Sequence, residues 1–294
     1  MVDFKLKTTW HFLTIGLGTF NYRAASKRLA EEAYSTGLFQ TSNGYTEKDL
    51  KRMSPQFWSD HKNVLRARIH GFGWYLWKPE LIRTCLNQIP PDHGLMYCDA
   101  GNYISSEKSD LDLLSKYLNL ATKHNILASN DQNFIEEHYS SQELMNLLSL
   151  TNKQRKSNQF MAGFILIVNS PEGRTFANSW SSIACTNDHN YLLPKSSFSP
   201  IKGFVNNQHD QAIFSCLLKS QNKPSIKIGD KFNLGCVRAL RHRYGFKYDN
   251  PKLISVILYR SIANISRIKL ALERRIFKKN PSLRPTQHFK YGVY

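Results

Sequence analysis

Residues 71–104 read GFGWYLWKPELIRTCLNQIPPDHGLMYCDAGNYI, and they indicate the fold more strongly than any other part of the chain. A loop rich in glycine and aromatic residues comes first, and Pro79 then suits the first turn of a helix over residues 80–88. An apolar strand follows and ends at Asp99. The two small residues after this carboxylate allow a bulky phosphorylated ligand to approach the backbone closely.

Strands and helices alternate on both sides of this stretch. The pattern predicts strands over residues 10–18, 125–128 and 160–168, and helices over residues 22–34, 111–120, 141–150, 171–184 and 210–218. Such alternation implies an α/β protein whose mainly parallel central sheet has helices on both faces. Ligands of such sheets bind at the carboxyl ends of the strands, so we expect a site near Gly18 and Asp99.

The composition is that of a globular protein with one large domain or two small ones. The chain has 294 residues, of which 41% are hydrophobic and 12% aromatic, enough for a substantial core. Its five cysteines are odd in number, widely spaced and never in a CxxC arrangement, so they indicate neither a disulfide framework nor a zinc site. We expect a reducing compartment.

The net charge of +18 favours anionic partners: phosphates, nucleic acid or an acidic membrane surface. The charge is concentrated towards the end of the chain, where the last 35 positions hold nine basic residues and one acid, Glu273. Apolar residues at three- and four-residue spacing over 252–279 predict a basic amphipathic helix, which either lies on an anionic membrane or packs on the domain. We therefore divide the chain into a domain of residues 1–250 and a basic tail of residues 251–294.

No apolar run approaches the ~18 residues that a bilayer span requires. The longest, residues 161–168, has the length of a strand. Lys5 and Lys7 before residues 10–20 superficially resemble a secretory leader, but His11 and other polar or glycine positions interrupt the apolar stretch. We expect a cytoplasmic protein that can bind the inner face of the membrane peripherally.

Each residue of the segment 71–104, taken alone, leaves two interpretations open. Asp99 alone is typical of a turn aspartate as well as of a ligand for a sugar hydroxyl or a cation. Trp77 and its aromatic neighbours can form core packing or a platform for a sugar. Lys78 can be solvated or bound to a phosphate.

The order of the motifs adds a resemblance. GFGWYLWKP followed by LMYCDAG resembles a group of bacterial and related glycosyltransferases with a GYGYWxWKP…YxDAG signature, distantly similar to the retaining enzymes of glycosyltransferase family 8. Residues 160–169, FMAGFILIVN, look like the family's N-A-G strand, and residues 209–214, HDQAIF, look like its D-Q helix start. The resemblance covers about residues 10–244.

The resemblance implies a GT-A fold, the fold of nucleotide-diphospho-sugar transferases. It places Asp210 and Gln211 beside the anomeric carbon as catalytic residues. The donor-binding residues that it implies are Trp77, Lys78, Asp99, Gly101 and Gly163. Asp99 would be the first residue of the family's DxD metal motif, but Gly101 replaces the second aspartate, which leaves the need for Mn²⁺ or Mg²⁺ open.

Loss of a nucleoside diphosphate leaves negative charge that a cation must stabilise. One source is a divalent ion on Asp99 together with a histidine. The candidate histidines are His209, His242 and His288. The other source is a basic cluster that neutralises the diphosphate directly. The members of this cluster are Arg238, Arg241, Arg243 and Lys247.

We therefore expect a hexosyltransferase that moves a sugar from a nucleotide-diphosphate donor, a UDP-sugar foremost, to a glycan or lipid-linked acceptor. We expect the transfer to retain the configuration of the anomeric carbon. We also expect the enzyme to act in surface polysaccharide or lipopolysaccharide synthesis. If the enzyme inverts instead, Asp210 is a candidate general base. Two other classes remain open, a basic nucleic-acid-binding protein and a non-catalytic sugar-binding relative of the transferases.

Overall fold

The computed structural model describes residues 6–66, 70–193, 202–227 and 234–239, and the single positions 261, 262, 264, 265 and 268. No helix within these residues has both the length and the hydropathy to cross a membrane. Apart from the single positions, the predicted tail of residues 251–294 lies outside the described residues. So do the predicted phosphate or metal ligands Arg241, His242, Arg243, Lys247 and His288.

The described residues form eight strands. In chain order they are β1 (Trp10–Ile15), β2 (Thr41–Tyr45), β3 (Gly94–Cys98), β4 (Tyr103–Ile104), β5 (Ile126–Ile135), β6 (Asn158–Val168), β7 (Ser225–Lys227) and β8 (Val237–Arg238). Six of them form the central sheet in the order β2-β1-β3-β6-β5-β7, and β4 pairs with β8 in a separate ribbon.

Helices connect these strands. In chain order they are α1 (Phe20–Ser35), α2 (Glu47–Met53), α3 (Pro55–Asp60), α4 (Lys62–Arg66), α5 (His70–Trp74), α6 (Trp77–Gln88), α7 (Lys108–His124), α8 (Glu136–Tyr139), α9 (Gln142–Leu147), α10 (Asn152–Arg155), α11 (Pro171–Cys185) and α12 (Asp210–Ser220). A short 3₁₀ helix covers Asn187–Leu192.

The central sheet is mainly parallel, as the alternation of elements predicts. β1 runs parallel to β2 and β3, and β5 runs parallel to β7. β6 is antiparallel to both of its neighbours, β3 and β5, so it alone opposes the common direction. The first half of β6 therefore lies beside the carboxyl ends of the other strands, where α/β sheets bind their ligands.

Each face of the sheet carries its own hydrophobic core. On one face Leu13, Tyr97 and Ile165 pack with residues of α6, α11 and α12. On the other face Phe12 and Met96 pack with residues of α1 and α7. Adjacent residues of β1 belong to opposite cores, which explains why this strand is a continuous apolar run without alternation.

The apolar segments are confirmed as elements, with bounds shifted by a few residues. The largest difference is β5, predicted over residues 125–128, which continues to Ile135 because it pairs with β6 across two irregularities in register. β2 is not predicted, because its sequence TSNGY is polar. It is an edge strand whose residues are all partly or fully exposed, so burial leaves no apolar signal there.

Candidate active site

A buried ammonium lies between two carboxylates at the carboxyl end of β3. Lys78, in the first turn of α6, is 3% exposed, and its Nζ lies 3.3 Å from Oδ1 of Asp99 and 2.9 Å from Oδ2 of Asp210. Asp99 directly follows β3, and Asp210 begins α12. Three segments that are distant in sequence therefore meet at one point.

The loop before α6 determines where Lys78 lies. Gly71 has a φ of 61°, and a Cβ on it would lie 2.4 Å from the ring of Tyr75, so both the backbone and the close contact require glycine. The indole Nε1 of Trp77 donates to the carbonyl of Gly71 at 2.9 Å. Lys78 Nζ lies 5.0 Å from the ring centre of Tyr75 and 5.5 Å from that of Tyr97, within the range of cation–π attraction.

Asp99 is the member of this group that a ligand can reach, since its side chain is 44% exposed. The hydroxyl of Tyr97 donates to Asp99 Oδ1 at 2.6 Å. Burial raises the pKa of Tyr97 well above its usual value and the charge of Asp99 adds to the effect, so the phenol remains a donor. Gly163 faces the other oxygen, because a Cβ there would lie 3.1 Å from Asp99 Oδ2.

Helix α1 anchors the turn after Asp99. Arg28 donates through Nη2 to two carbonyls of this turn, which contains Gly101, at 3.0 and 2.8 Å. Its Nη1 pairs with Glu32 at 2.7 Å, and Glu32 also accepts from a backbone N–H of β4 at 3.2 Å. This ion pair is buried, so the turn is held by charge-assisted hydrogen bonds that water cannot replace.

The buried carboxyl of Asp210 has a raised proton affinity. Burial raises the pKa of Asp210 to about 6, against the opposing charge of Lys78 and with a further contribution from Asp99. Burial lowers the pKa of Lys78, but the charges of Asp210 and Asp99 outweigh it, so its pKa lies above the usual range and the ammonium stays charged. The Asp210 carboxyl therefore titrates near neutral pH.

Gln211, which follows Asp210, faces β6. Its Oε1 accepts from the backbone N–H of Ala162 at 3.4 Å, and its Nε2 donates to Oε1 of Gln159 at 2.9 Å. The carbonyl of Ala162 in turn accepts from Lys78 Nζ at 3.2 Å. One residue of β6 thus contacts both the ion-paired group and the glutamine.

The described residues do not by themselves fit a divalent cation. Within the described part of the chain, no three His, Cys, Asp or Glu side chains lie close enough to hold a metal. Oδ1 of Asp99 faces the ammonium of Lys78, whose charge repels a second cation. His209 stacks on Trp74 at 6.5 Å and donates from Nδ1 to the carbonyl of Leu192 at 2.6 Å.

The other predicted site residues take different positions. Trp77 is 6% exposed and packs in the core below the loop. Arg238, of the predicted basic cluster, lies in β8 and pairs with Asp110 at 3.4 Å. Two further charged residues, Arg28 and Glu136, are buried although no sequence motif contains them. Burial of a charged residue inside a helical pattern has no local sequence signal, so only the structure reveals both residues.

Comparison with solved structures finds several that align with this chain. The chain matches no protein-family model and no curated protein. The structure of mouse xyloside xylosyltransferase 1, in its apo form, aligns with a TM-score of 0.41 and 10% identity, over 76% of this chain and 86% of that chain. The galactosyltransferase LgtC, in complex with donor and acceptor sugar analogues, aligns with a TM-score of 0.37 and 12% identity, over 76% and 74%. An active-site mutant of LgtC aligns with a TM-score of 0.35 and 11% identity over the same shares.

Proposed function

We propose that the chain is a glycosyltransferase of the GT-A type, which moves a sugar from a nucleotide-diphosphate donor to an acceptor hydroxyl. One observation carries the proposal: Lys78 binds both Asp99 and Asp210. These residues belong to the three motifs, W-K-P, Y-C-D-A-G and H-D-Q, through which the sequence resembles sugar-nucleotide transferases. Their convergence at the ligand-binding edge of the sheet supports one site made of all three motifs.

The proposed roles follow from exposure and charge. Asp99 is accessible and lies beside Gly163, at the start of the turn that contains Gly101. It accepts hydrogen bonds from hydroxyl groups of the nucleotide-sugar donor. Asp210 is buried and supplies negative charge near the anomeric carbon, where positive charge develops as the bond to the diphosphate breaks. Gln211 orients the reacting sugar. Lys78 fixes the two carboxylates relative to each other, and Trp77 supports the loop that places Lys78.

The finer proposal concerns substrate and stereochemistry. We propose a UDP-sugar donor, a glycan or lipid-linked acceptor of surface polysaccharide or lipopolysaccharide synthesis, and transfer with retention. The bond between the anomeric carbon and the diphosphate oxygen breaks, and its electron pair remains on the diphosphate. The new bond forms between the anomeric carbon and the acceptor oxygen, whose proton passes to the departing diphosphate.

A thermal-shift screen tests the donor class. UDP-, GDP- and CMP-sugars are added to the full chain with and without Mn²⁺ and with a chelator. Ligands of the native state raise its melting temperature, so we expect a shift with one nucleotide class in the wild type. The variant Asp99→Asn serves as the control and is expected to lose most of that shift. The absence of any shift across the screen would contradict the proposal.

A further inference from the structure

A second buried polar cluster lies directly behind Gln211. Glu136 of α8 and Gln159 of β6 are both 0% exposed. Nε2 of Gln159 donates to Oε1 of Glu136 at 3.0 Å and to the carbonyl of Tyr139 at 3.1 Å. Glu136 also pairs with Lys219 of α12 at 2.8 Å. The cluster therefore connects α8, β6 and α12 below the residue to which we assign a catalytic role.

The hydrogen bonds of this cluster are consistent with only one orientation of the Gln159 side-chain amide. A carbonyl oxygen accepts hydrogen bonds and never donates, and an ion-paired carboxylate does the same. The nitrogen of the Gln159 amide must therefore face Glu136 and Tyr139, which leaves its oxygen facing Gln211. That oxygen fixes the nitrogen of Gln211 as a donor, at 2.9 Å, and the oxygen of Gln211 as the acceptor from Ala162.

We propose that Gln159, held by Glu136, is a positioning residue that sets the orientation of the Gln211 amide for sugar transfer. The inference rests on the proposed function. Within the described part of the chain, one N–H of Gln211 and one lone pair of its oxygen have no partner, and these are the groups that a substrate would meet. If the Gln211 amide were flipped, a hydrogen-bond donor would stand where the substrate needs an acceptor, and an acceptor where it needs a donor. The same substrate would then bind less well.

A double-mutant cycle tests the positioning role. Gln159→Met removes the amide and keeps the length of the side chain, and it is measured alone and together with Gln211→Ala. We expect kcat for the donor to fall about tenfold to a hundredfold in the single variant, with donor affinity kept, because small misplacements of a catalytic group cost that much. In the Gln211→Ala background we expect no further fall. Equal falls in both backgrounds would overturn the proposal.

Gln154→Met is the matched control. Gln154 also reaches α12, donating to the carbonyl of Lys219 at 2.6 Å, but it lies at the end of the helix away from Gln211. The substitution is the same, and it also removes a side-chain hydrogen bond to α12, one that is partly buried. We expect a lower melting temperature with an unchanged kcat. A fall in kcat equal to that of Gln159→Met would show that the loss comes from general loosening of α12, and would overturn the proposal.

Hydrogen exchange in the wild type tests the orientation of the Gln211 amide without depending on activity or on the folding of a variant. The side-chain amide signals of the ¹⁵N-labelled chain are assigned by comparison with Gln211→Ala. We expect the Nε2 protons of Gln211 to differ, one slow and one fast in hydrogen exchange, and the slow one to become fast in Gln159→Met. Two equally fast protons in the wild type would overturn the arrangement. A wild type that turns over no donor would instead contradict the proposed function, and the exchange rates would still decide the orientation of Gln211.

Discussion

Lys78 has a charged ammonium that is almost fully buried, and two carboxylates compensate for its loss of water. An ammonium in such a position is stable only when it is paired, because desolvation of a single ion costs several kcal/mol. The pairing also links the exposed Asp99 to the buried Asp210. A change in the charge of one carboxylate therefore alters the electrostatic potential at the other, because both contact the same ammonium.

Two substitutions should separate donor binding from turnover. Asp99→Asn is expected to lower donor affinity and turnover together, because Asp99 is the exposed carboxylate of the group. Gln211→Ala is expected to lower kcat by about 10²-fold with donor binding largely kept, the loss typical of one donor aimed at the reacting centre. Steady-state kinetics and donor titration measure both. Wild-type kinetics in Asp99→Asn would remove Asp99 from the donor site.

The raised pKa of Asp210 predicts opposite responses of activity and stability to acid. Turnover should fall below pH 6, by about tenfold per pH unit, because the protonated side chain no longer supplies negative charge. The folded state binds this proton more tightly than the unfolded chain, so Asp210's contribution to the free energy of unfolding should rise as pH falls through about 6. Asp210→Asn should abolish both dependences in pH-resolved kinetics and thermal melts. A variant that keeps the acid limb would assign it to another group.

Among the secondary-structure elements, α1 anchors the turn that follows Asp99. Removing one partner of a buried ion pair leaves the other uncompensated, so Arg28→Ala should lower the free energy of unfolding by about 3 kcal/mol and weaken donor binding. The neighbouring Lys27 is the control. It pairs with Glu31 at 3.9 Å in an exposed position, so Lys27→Ala should change stability by less than about 0.5 kcal/mol. Denaturant melts and donor titration decide, and equal effects of the two variants would contradict the anchoring role of α1.

The elements also show what the sequence could predict. β1, β3 and β6 are apolar because both of their faces are buried, and this signal is local enough to recognise. The motif resemblance predicted that Asp99, Asp210 and Gln211 serve one site, and the structure brings both carboxylates to Lys78. The burial of Lys78 was not predicted, because a lysine is usually solvated, and its pairing with Asp210 depends on how α12 packs beside α6. Glu136 is hidden for the same reason, since its partner Lys219 lies in a distant helix.

We propose that residues 1–250 form the transferase domain and that the basic tail of residues 251–294 binds an anionic membrane surface from the cytoplasmic side. Among the described positions of the tail, Ile265 and Ile268 are 67% and 62% exposed. We expect the full chain to float with vesicles that contain anionic lipid and not with neutral ones, and salt should release it. Equal recovery with both vesicle types would contradict membrane binding through charge.

We propose that Lys78, Asp99 and Asp210 form the active site of a sugar-nucleotide transferase. Release of nucleoside diphosphate from a panel of nucleotide sugars, without acceptor, tests it most directly, because hydrolysis of the donor requires no knowledge of the acceptor. We predict release from at least one donor by the wild type and a loss of about 10²-fold or more in Asp210→Asn, as for removal of other electrostatic groups at a reacting centre. No release from any donor, or equal rates in the wild type and the variant, would contradict it.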